Sequence, residues 1–395
     1  MTSEEGYSTR SRRVDLLRGV AILAVLLLHF SLSYSLVTSP LSLIVPTGLL
    51  RAVIYNGNYG VTIFFVISGY LITSNSIKRY GSLGQTRLTS FYVLRAARIL
   101  PPLLLALLII VPLGCLGLPS FSNTDGNVSL PSSFFVIAVL SVLTFWHNLL
   151  MESVGYFNYC LNIYWSLSIE EVFYIAFPLV SVGLRRSYLI ALLCIVLIAV
   201  APLYRAAHTS EELYYMYGNF ACFDAIALGC LTAMLKTRTR VAPRLRIVLT
   251  CAGALFLVTS YLFGIKHHEV WGFSAVAGAT ALLLYSDDGA GQSHQRLWDI
   301  PVRALRWLGR HSYELYLFHI ILLAGLRNIV HRGQMESFWK LPSLAAFLAV
   351  SALLAQAVSR YFADPLNAAL RRAYTWRLAG HAAILTSDSR PRTSP

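Results

Sequence analysis

Residues 14–37 read VDLLRGVAILAVLLLHFSLSYSLV, the first long apolar stretch of the chain, and carry Arg18 and His29 eleven residues apart. Eleven residues of α-helix make about three turns, so both side chains share one face, separated by a rise of about 16 Å. With Arg18 at a bilayer edge, His29 lies near the middle of a hydrocarbon core about 30 Å thick. An ionisable group at that depth indicates function. The alternative is a histidine that hydrogen-bonds a neighbouring helix for packing.

Composition predicts an all-α, polytopic membrane protein. The 395 residues are 56% hydrophobic and 13% charged, against about 25% charged in soluble domains. The mean hydropathy is +0.61. Arg10, Arg12 and Arg13 ahead of an apolar run resemble a signal peptide, but no small-residue cleavage site precedes Pro40. We therefore predict that this segment is retained as the first transmembrane helix.

Charge and cysteine content exclude several other classes. The net charge of +14 comes from 32 basic and 18 acidic residues, and the basic ones cluster between apolar stretches. Such clusters are typical of loops at a membrane surface, so the expected partner is membrane lipid and not nucleic acid. The six cysteines include no C-x-x-C pair, so we expect no metal site and no redox motif.

Eleven apolar segments are candidates for crossing the membrane. They cover residues 14–37, 60–76, 92–114, 132–150, 164–182, 188–204, 218–235, 246–264, 271–286, 312–330 and 341–362. Basic loops, including Arg296 to Arg310, should be cytoplasmic, whereas the loops at Asp125 and at Arg205 to Glu212 should be external. If Asp125 lies outside the cell and Arg185 inside, the chain between them must cross the membrane an odd number of times. We therefore predict about ten transmembrane helices, with 132–150 or 164–182 broken, re-entrant or interfacial.

The segments form one domain between two tails. We predict a cytoplasmic N-terminal tail at 1–12, a transmembrane domain at 13–365 and a cytoplasmic basic tail at 366–395 that is disordered after Ala379. The polar stretch from His147 to Asn162 is where irregular backbone is expected to line a cavity.

Two adjacent carboxylates lie in the segment at 164–182. Glu170 shares a helical face with Phe173, Tyr174 and Phe177. Adjacent residues point about 100° apart, so Glu170 and Glu171 cannot fill the same role. We favour Glu170 as the deeper functional group and Glu171 as an orienter or rim residue.

Other polar residues in apolar segments are few. Ser312, Tyr316 and His319 form one polar stripe at i, i+4 and i+7. Asp224 is a lone carboxylate that needs a partner, for which an arginine is favoured, and structural pairing is at least as good an interpretation as chemistry.

Arg95 and Arg98 stand three residues apart, just before Pro101 and Pro102. Their shared helical face points to an anion near the cytoplasmic surface. The alternative is that both side chains extend to lipid phosphates and set the topology. The chain has no Walker loop, no dinucleotide fingerprint and no H-E-x-x-H motif.

Taken together, these pieces resemble the acyltransferase 3 family of membrane acyltransferases. The resemblance spans about residues 13–365. Its pieces occur in order: DLLRG at 15–19, His29, GVTIFFVISGY at 60–70, FYVLRAARILP at 91–101, WSLSIEEVFY at 165–174, FDAIALG at 223–229, SYELYLFH at 312–319 and RYFADP at 360–365. Thr62, Leu94, Leu103 and Cys222 depart from residues that are common in the family. We also expect the chain to act without an appended extracellular hydrolase-like domain, alone or with a separate periplasmic or glycan-assembly partner.

The resemblance implies an O-acyltransferase whose donor is cytoplasmic acyl-CoA, most simply acetyl-CoA, with no bound cofactor. Arg18, Arg95 and Arg98 would bind the donor phosphates. His29 would act as general base, with Glu170 holding its tautomer. Trp165, Ser166, Tyr316 and His319 are candidates for acceptor or oxyanion contacts, and Asp15, Glu171 and Asp224 are supporting residues. A covalent acyl-histidine is the alternative route.

The resemblance further implies an acceptor hydroxyl on bacterial surface polysaccharide, lipopolysaccharide or a lipid-linked sugar. It places the protein in the bacterial inner membrane, with both termini cytoplasmic. A transporter that moves an acyl group or a glycan without making a bond is the alternative function.

Overall fold

The computed structural model describes residues 11–125, 130–288, 300–331 and 333–388, with side chains described as far as Trp376. These ranges contain helices and no strand. The α-helices are α1 (Arg12–Tyr34), α2 (Thr47–Tyr55), α3 (Tyr59–Tyr80), α4 (Leu88–Cys115), α5 (Phe134–Leu143), α6 (His147–Val154), α7 (Trp165–Leu184), α8 (Ser187–Ala207), α9 (Glu212–Tyr217), α10 (Asn219–Arg238), α11 (Pro243–Phe263), α12 (Gly272–Tyr285), α13 (Ile300–Arg310), α14 (Ser312–Ile329), α15 (Lys340–Val358) and α16 (Asp364–Asp388).

The predicted fold class, a polytopic membrane helix bundle, is confirmed. Within the described ranges, eight helical stretches are long and apolar enough to cross a membrane, and two shorter apolar helices, α5 and α12, accompany them. The 18-residue α14 carries the polar stripe predicted from sequence and is not among the eight. The count of ten crossings stays a prediction.

The segment at 132–150 is the broken one of the two candidates. It forms the 10-residue α5 and the 8-residue α6. The backbone turns between them at Phe145, a non-glycine residue with a φ of 62°. The segment at 164–182, by contrast, is covered by one continuous 20-residue helix, α7. The break that loop parity predicted in one of these two segments therefore lies in 132–150, just before His147.

The polar residues after this break were predicted to line a cavity, and that prediction is wrong for the main cavity described below. His147, Asn148 and Asn158 are fully buried. The Asn148 amide donates to the Tyr217 carbonyl at 3.2 Å, and the Asn158 amide donates to the Phe121 carbonyl at 3.1 Å. These side chains satisfy irregular backbone that would otherwise be left without partners inside the bundle.

Glycine allows two helix pairs to approach closely. A Cβ at Gly69 of α3 would lie 2.0 Å from the Ile226 carbonyl oxygen, and one at Gly229 of α10 would lie 2.0 Å from the Val66 carbonyl oxygen. The contact of α1 with α13 is equally close, since a Cβ at Gly309 would lie 1.8 Å from the Asp15 carbonyl oxygen. Small residues at helix contacts are a common packing device in membrane bundles.

Part of the predicted basic loop at Arg296 to Arg310 is helical, because residues 300–310 form α13. Residues 289–299 lie outside the described part of the chain. α13 packs against the N-terminal half of α1 and exposes Ile300 and Val302 beside its arginines. An amphipathic helix of this kind fits the membrane–water interface.

The C-terminal helix folds back onto the bundle. A π-helical turn, Ser359–Ala363, joins α15 to α16, and α16 packs against α4. α16 extends to Asp388, and the disorder predicted after Ala379 stays a prediction. Residues 389–395 lie outside the described ranges.

Candidate active site

A cavity of about 760 Å³ opens among α1, α3, α4, α7, α14 and α16. Its size is within the usual range for a small-molecule or cofactor site. Arg18, Arg95 and Arg98, predicted from the sequence to bind an anion, all line this cavity. So do Glu170, Glu171, Ser166 and Tyr316. Four well-separated segments of the sequence therefore contribute predicted site residues to one cavity.

Three further basic residues line the cavity, and the sequence reasoning missed them as site residues. Lys78 and Arg79 come from the last turn of α3, and Arg371 comes from α16. Basic residues at the end of a membrane helix carry only a topological signal in the sequence. For Arg371 the decisive fact is the return of α16 to α4, which no local pattern encodes. The cavity wall thus carries six basic side chains and two carboxylates.

Aromatic and hydroxyl groups hold two of the arginines in place. The Arg18 Nε donates to the Ser312 Oγ at 3.0 Å, which links α1 to α14. The Arg95 guanidinium carbon lies 3.5 Å from the centre of the Tyr174 ring. A cation over an aromatic face is attracted by the ring electrons and still keeps its N–H groups available at the edges. Arg98, in contrast, is exposed.

Glu170 belongs to the arginine end of the cavity. It accepts hydrogen bonds from the Ser68 and Tyr174 hydroxyls, which also contact each other. Tyr174 in turn carries Arg95 on its ring. Glu170 is therefore connected through Tyr174 to Arg95.

The predicted depths of the two carboxylates are wrong. Glu171 is the buried one, with 7% exposure, whereas Glu170 is half-buried. The Glu171 Oε1 has no hydrogen-bond partner among the described residues. The rotation of α7 about its axis decides which of two adjacent residues points inward, and the sequence spacing did not determine that rotation.

His29 pairs with a second histidine. The His29 and His319 ring centres lie 5.0 Å apart, and the His319 Nε2 is 3.3 Å from the His29 Nδ1. Each Nδ1 is also 2.9 Å from the backbone carbonyl four residues earlier, Val25 for His29 and Leu315 for His319. His319 is fully buried, and His29 is half-buried.

These bonds fix the tautomer of the neutral rings. A carbonyl oxygen only accepts, so each Nδ1 carries the proton. His319 then offers the lone pair of its Nε2 toward the His29 N–H, and His29 keeps its own Nε2 free of a proton. An unprotonated Nε2 held in one orientation is the arrangement that a general base needs.

The predicted pairing of His29 with Glu170 is not present in the described contacts, where His319 takes the neighbouring position. The reason is the helix register. The Ser166 hydroxyl lies 2.6 Å from the Tyr316 hydroxyl. From that level His319 follows on α14 toward His29, whereas α7 carries Glu170 the other way, toward Arg95.

Tyr316 lies between the cavity and the histidines. It lines the cavity, and its ring centre is 6.0 Å from that of His319. Its hydroxyl donates to the Ile163 carbonyl at 2.8 Å. His29 and His319 themselves are not among the residues that line the cavity.

Besides the two histidines, three further predicted residues lie outside the cavity lining. Trp165 packs against the Tyr217 ring, with centres 4.3 Å apart. Asp15 is buried in the first turn of α1. Asp224 has the predicted arginine partner, since its Oδ2 accepts from the Arg205 Nη2 at 2.8 Å and from the Ser274 hydroxyl at 2.6 Å.

The sequence placed Arg205 in an external loop, and this was wrong. Arg205 lies in the last turn of α8 and is fully buried. Besides Asp224, its guanidinium donates to Ser274 and to the Val270 and Ala221 carbonyls. These acceptors make it possible to bury the charge at this depth. Among the described residues, no group of three His, Cys, Asp or Glu side chains is arranged to hold a metal ion.

Comparisons with known proteins agree with this architecture. Residues 11–358 match the family model described as an acyltransferase domain. A Staphylococcus aureus (strain COL) protein named "Putative O-acetyltransferase" is 25% identical over 388 residues, which cover 92% of this chain and 58% of the relative. The O-acetyltransferase OatA of Staphylococcus aureus strain NCTC 8325 is 23% identical over 385 residues, with the same coverage of each chain.

The chain thus spans about 58% of the length of these curated relatives. No solved structure matches it significantly. The family model, however, covers most of the chain, including the cavity helices α1, α3, α4, α7 and α14. The chain therefore belongs to the acyltransferase 3 family.

Proposed function

We propose that the protein is a membrane O-acyltransferase that moves an acyl group, in the simplest case acetyl, from acyl-CoA to a carbohydrate hydroxyl. One observation carries the proposal: Tyr316 lines a cavity that has six basic side chains at its wall, and its ring centre lies 6.0 Å from that of His319, the partner of His29. CoA carries a diphosphate and a 3′-phosphate at one end and its thioester at the other. In the protein, the basic side chains of the cavity and the proposed base, His29, are likewise separated from each other.

The basic residues would hold the phosphates. Arg18, Arg95 and Arg98 offer guanidinium groups that suit bidentate phosphate contacts. Lys78, Arg79 and Arg371 extend the same surface and would bind the remaining phosphate. Glu170 acts through Tyr174 to position Arg95, which replaces its predicted role beside His29.

His29 would perform the proton transfer. Its free Nε2 accepts the proton of the acceptor hydroxyl as the oxygen attacks the thioester carbonyl. The new C–O bond forms, the C–S bond breaks, and the imidazolium returns the proton to the sulfur of CoA. His319 would support the positive charge through the lone pair of its Nε2, which lies 3.3 Å from the His29 Nδ1. The thioester would reach this point past the Tyr316 ring.

The proposed topology has both termini in the cytoplasm. Arg18 lies toward the N-terminal end of α1 and lines the basic cavity, so the donor phosphates would bind near the cytoplasmic side if the N-terminus is cytoplasmic. Single cysteines at Ser3, Thr239 and Ser387 in a cysteine-free background should resist a membrane-impermeant thiol reagent in intact cells, and one at Asp125 should react. Labelling at Ser387 but not at Ser3 would contradict this orientation.

The test of function is His29→Ala. The purified variant should release free CoA thiol from acetyl-CoA, with an acceptor supplied, about 10² to 10⁴ times more slowly than the wild type. Mass spectrometry of surface glycans from a deletion strain should show the loss of O-acetyl groups, which the wild-type gene restores and His29→Ala does not. His311→Ala, at a histidine outside the cavity lining, is the matched control. Activity of His29→Ala within a few-fold of wild type removes His29 from the mechanism, and a wild type that never cleaves acetyl-CoA favours a transporter.

A further inference from the structure

A second pocket lies at the opposite end of α1 from the arginine cavity. Its volume is about 470 Å³, and it is lined by Ser31, Leu32, Ser33, Tyr34, Ser35, Thr38, Tyr55, Gly333, Met335 and Lys340. Six of these ten residues, between Ser31 and Thr38, follow His29 within nine positions, and five of the six carry a hydroxyl group. The pocket thus begins directly beyond the histidine, on the side away from Arg18.

The pocket contains a buried cation without a counter-ion. Lys340 is only 9% exposed. Its ammonium donates to the Ser35 carbonyl at 3.3 Å and to the Thr38 hydroxyl, both neutral acceptors. No carboxylate of the described residues lies within ion-pair distance of it. The nearby Arg327 differs, because it has Asp125 at 3.8 Å.

One hydroxyl of the pocket is also without a partner. The Ser31 side chain is 2% exposed, and its Oγ makes no hydrogen bond to any described residue. The other hydroxyls are engaged: Ser33 contacts the Tyr159 hydroxyl at 2.9 Å, and Tyr34 donates to the Val330 carbonyl at 2.8 Å. A buried ammonium without an anion and a buried hydroxyl without a partner both cost free energy, which a bound ligand would offset.

We propose that this pocket binds the acceptor and that the acceptor is an anionic sugar, with its carboxylate or phosphate on Lys340. The inference rests on the proposed function and adds the chemical class of the second substrate. Ser35, whose carbonyl contacts Lys340, lies six residues beyond His29, a rise of about 9 Å along the helix. The anionic group and the hydroxyl that is acylated are therefore separated by one to two sugar rings. A neutral sugar would leave the Lys340 charge unpaired.

The test is a binding measurement, so that it does not depend on catalysis. Methyl β-D-glucuronide and methyl β-D-glucoside differ only in the carboxylate at C6. Each is titrated by saturation-transfer NMR into the full chain in nanodiscs of phosphatidylcholine. The wild type should bind the glucuronide at least about tenfold more tightly than the glucoside. Lys340→Gln should weaken glucuronide binding by about ten- to hundredfold and remove the difference between the sugars.

Two variants control for structure. Lys340→Arg keeps the positive charge and should keep the preference for the glucuronide. Lys266→Gln removes an exposed lysine outside the pocket and should change neither affinity. His29→Ala should also bind the glucuronide as the wild type does, so a failure of the catalytic proposal is distinguished from a failure of this one.

Three results would overturn the proposal. They are equal affinities of the two sugars in the wild type, no glucuronide binding at all, and an affinity that Lys340→Gln leaves unchanged. The titration is repeated with phosphatidylglycerol in the nanodisc, because a lipid headgroup carries the same kind of anion. Displacement of the glucuronide by that lipid would assign the pocket to lipid and overturn the assignment to a sugar.

Discussion

The Arg205–Asp224 ion pair and the charged side chains of the arginine cavity have different partners. Arg205 and Asp224 are fully buried, and hydroxyl and carbonyl groups surround their ion pair. In the cavity, Arg98 is exposed, Arg95 rests on an aromatic ring, and a Glu171 oxygen has no hydrogen-bond partner. A charge whose hydrogen bonds are completed by the protein stabilises one arrangement of helices. Ionisable side chains within a membrane bundle are costly, so those at the cavity support the proposal that it binds a ligand.

The largest expected effect is on stability, at the satisfied pair. Arg205→Met leaves the Asp224 carboxylate buried without its cation, which should lower the free energy of unfolding by about 3 to 5 kcal/mol. Thermal unfolding of the purified protein in detergent measures the loss. The double variant with Asp224→Asn removes both charges and should recover most of the stability. If Arg205→Met unfolds at the wild-type temperature, the Arg205–Asp224 ion pair does not stabilise the packing of α8 against α10.

The next effect is on donor affinity, at the cavity. Arg98→Ala removes a charge-assisted contact worth about 1.5 to 3 kcal/mol, so the KM for acetyl-CoA should rise about ten- to hundredfold with a smaller change in kcat. Its unfolding temperature should stay near that of the wild type, because Arg98 is exposed. Arg244→Ala, at an exposed arginine outside the cavity lining, is the control and should leave the KM unchanged. A fall in stability with no change in KM would place Arg98 with the structural charges.

A smaller effect tests how Glu170 acts. Tyr174→Phe loses the hydroxyl that binds Glu170 but keeps the ring under Arg95. The KM for acetyl-CoA should rise by only a few-fold, because the lost hydrogen bond acts on the donor indirectly, through Arg95, and the ring that contacts Arg95 stays in place. Tyr174→Leu also removes the ring and should approach the effect of Arg95→Ala. A fall in kcat at constant KM would instead return Glu170 to the chemical step.

The features that the sequence predicted correctly depend on spacing within one segment. The shared face of Arg18 and His29 follows from helical periodicity, and Asp224 needed a cation because an unpaired buried carboxylate is too costly. Loop parity located the break between 132 and 182. Each of these inferences requires only one helix or a count of crossings.

The features that the sequence did not predict depend on how the helices pack against one another. The partner of His29 is set by the register of α14 on α1, which brings His319 and not Glu170 to its side. The burial of Glu171 is set by the rotation of α7, and Arg371 reaches the cavity because α16 returns to α4. Such packing joins residues hundreds of positions apart, and no single apolar segment encodes it.

The central claim is that the cavity charges bind the donor and that His29 acts on the proton. Isothermal titration of CoA into the wild type, His29→Ala and Arg98→Ala tests it most directly. We predict that His29→Ala binds CoA within a few-fold of the wild type although its transfer rate is lost, and that Arg98→Ala binds about ten- to hundredfold more weakly. Loss of CoA binding in His29→Ala, or wild-type affinity in Arg98→Ala, would contradict the account.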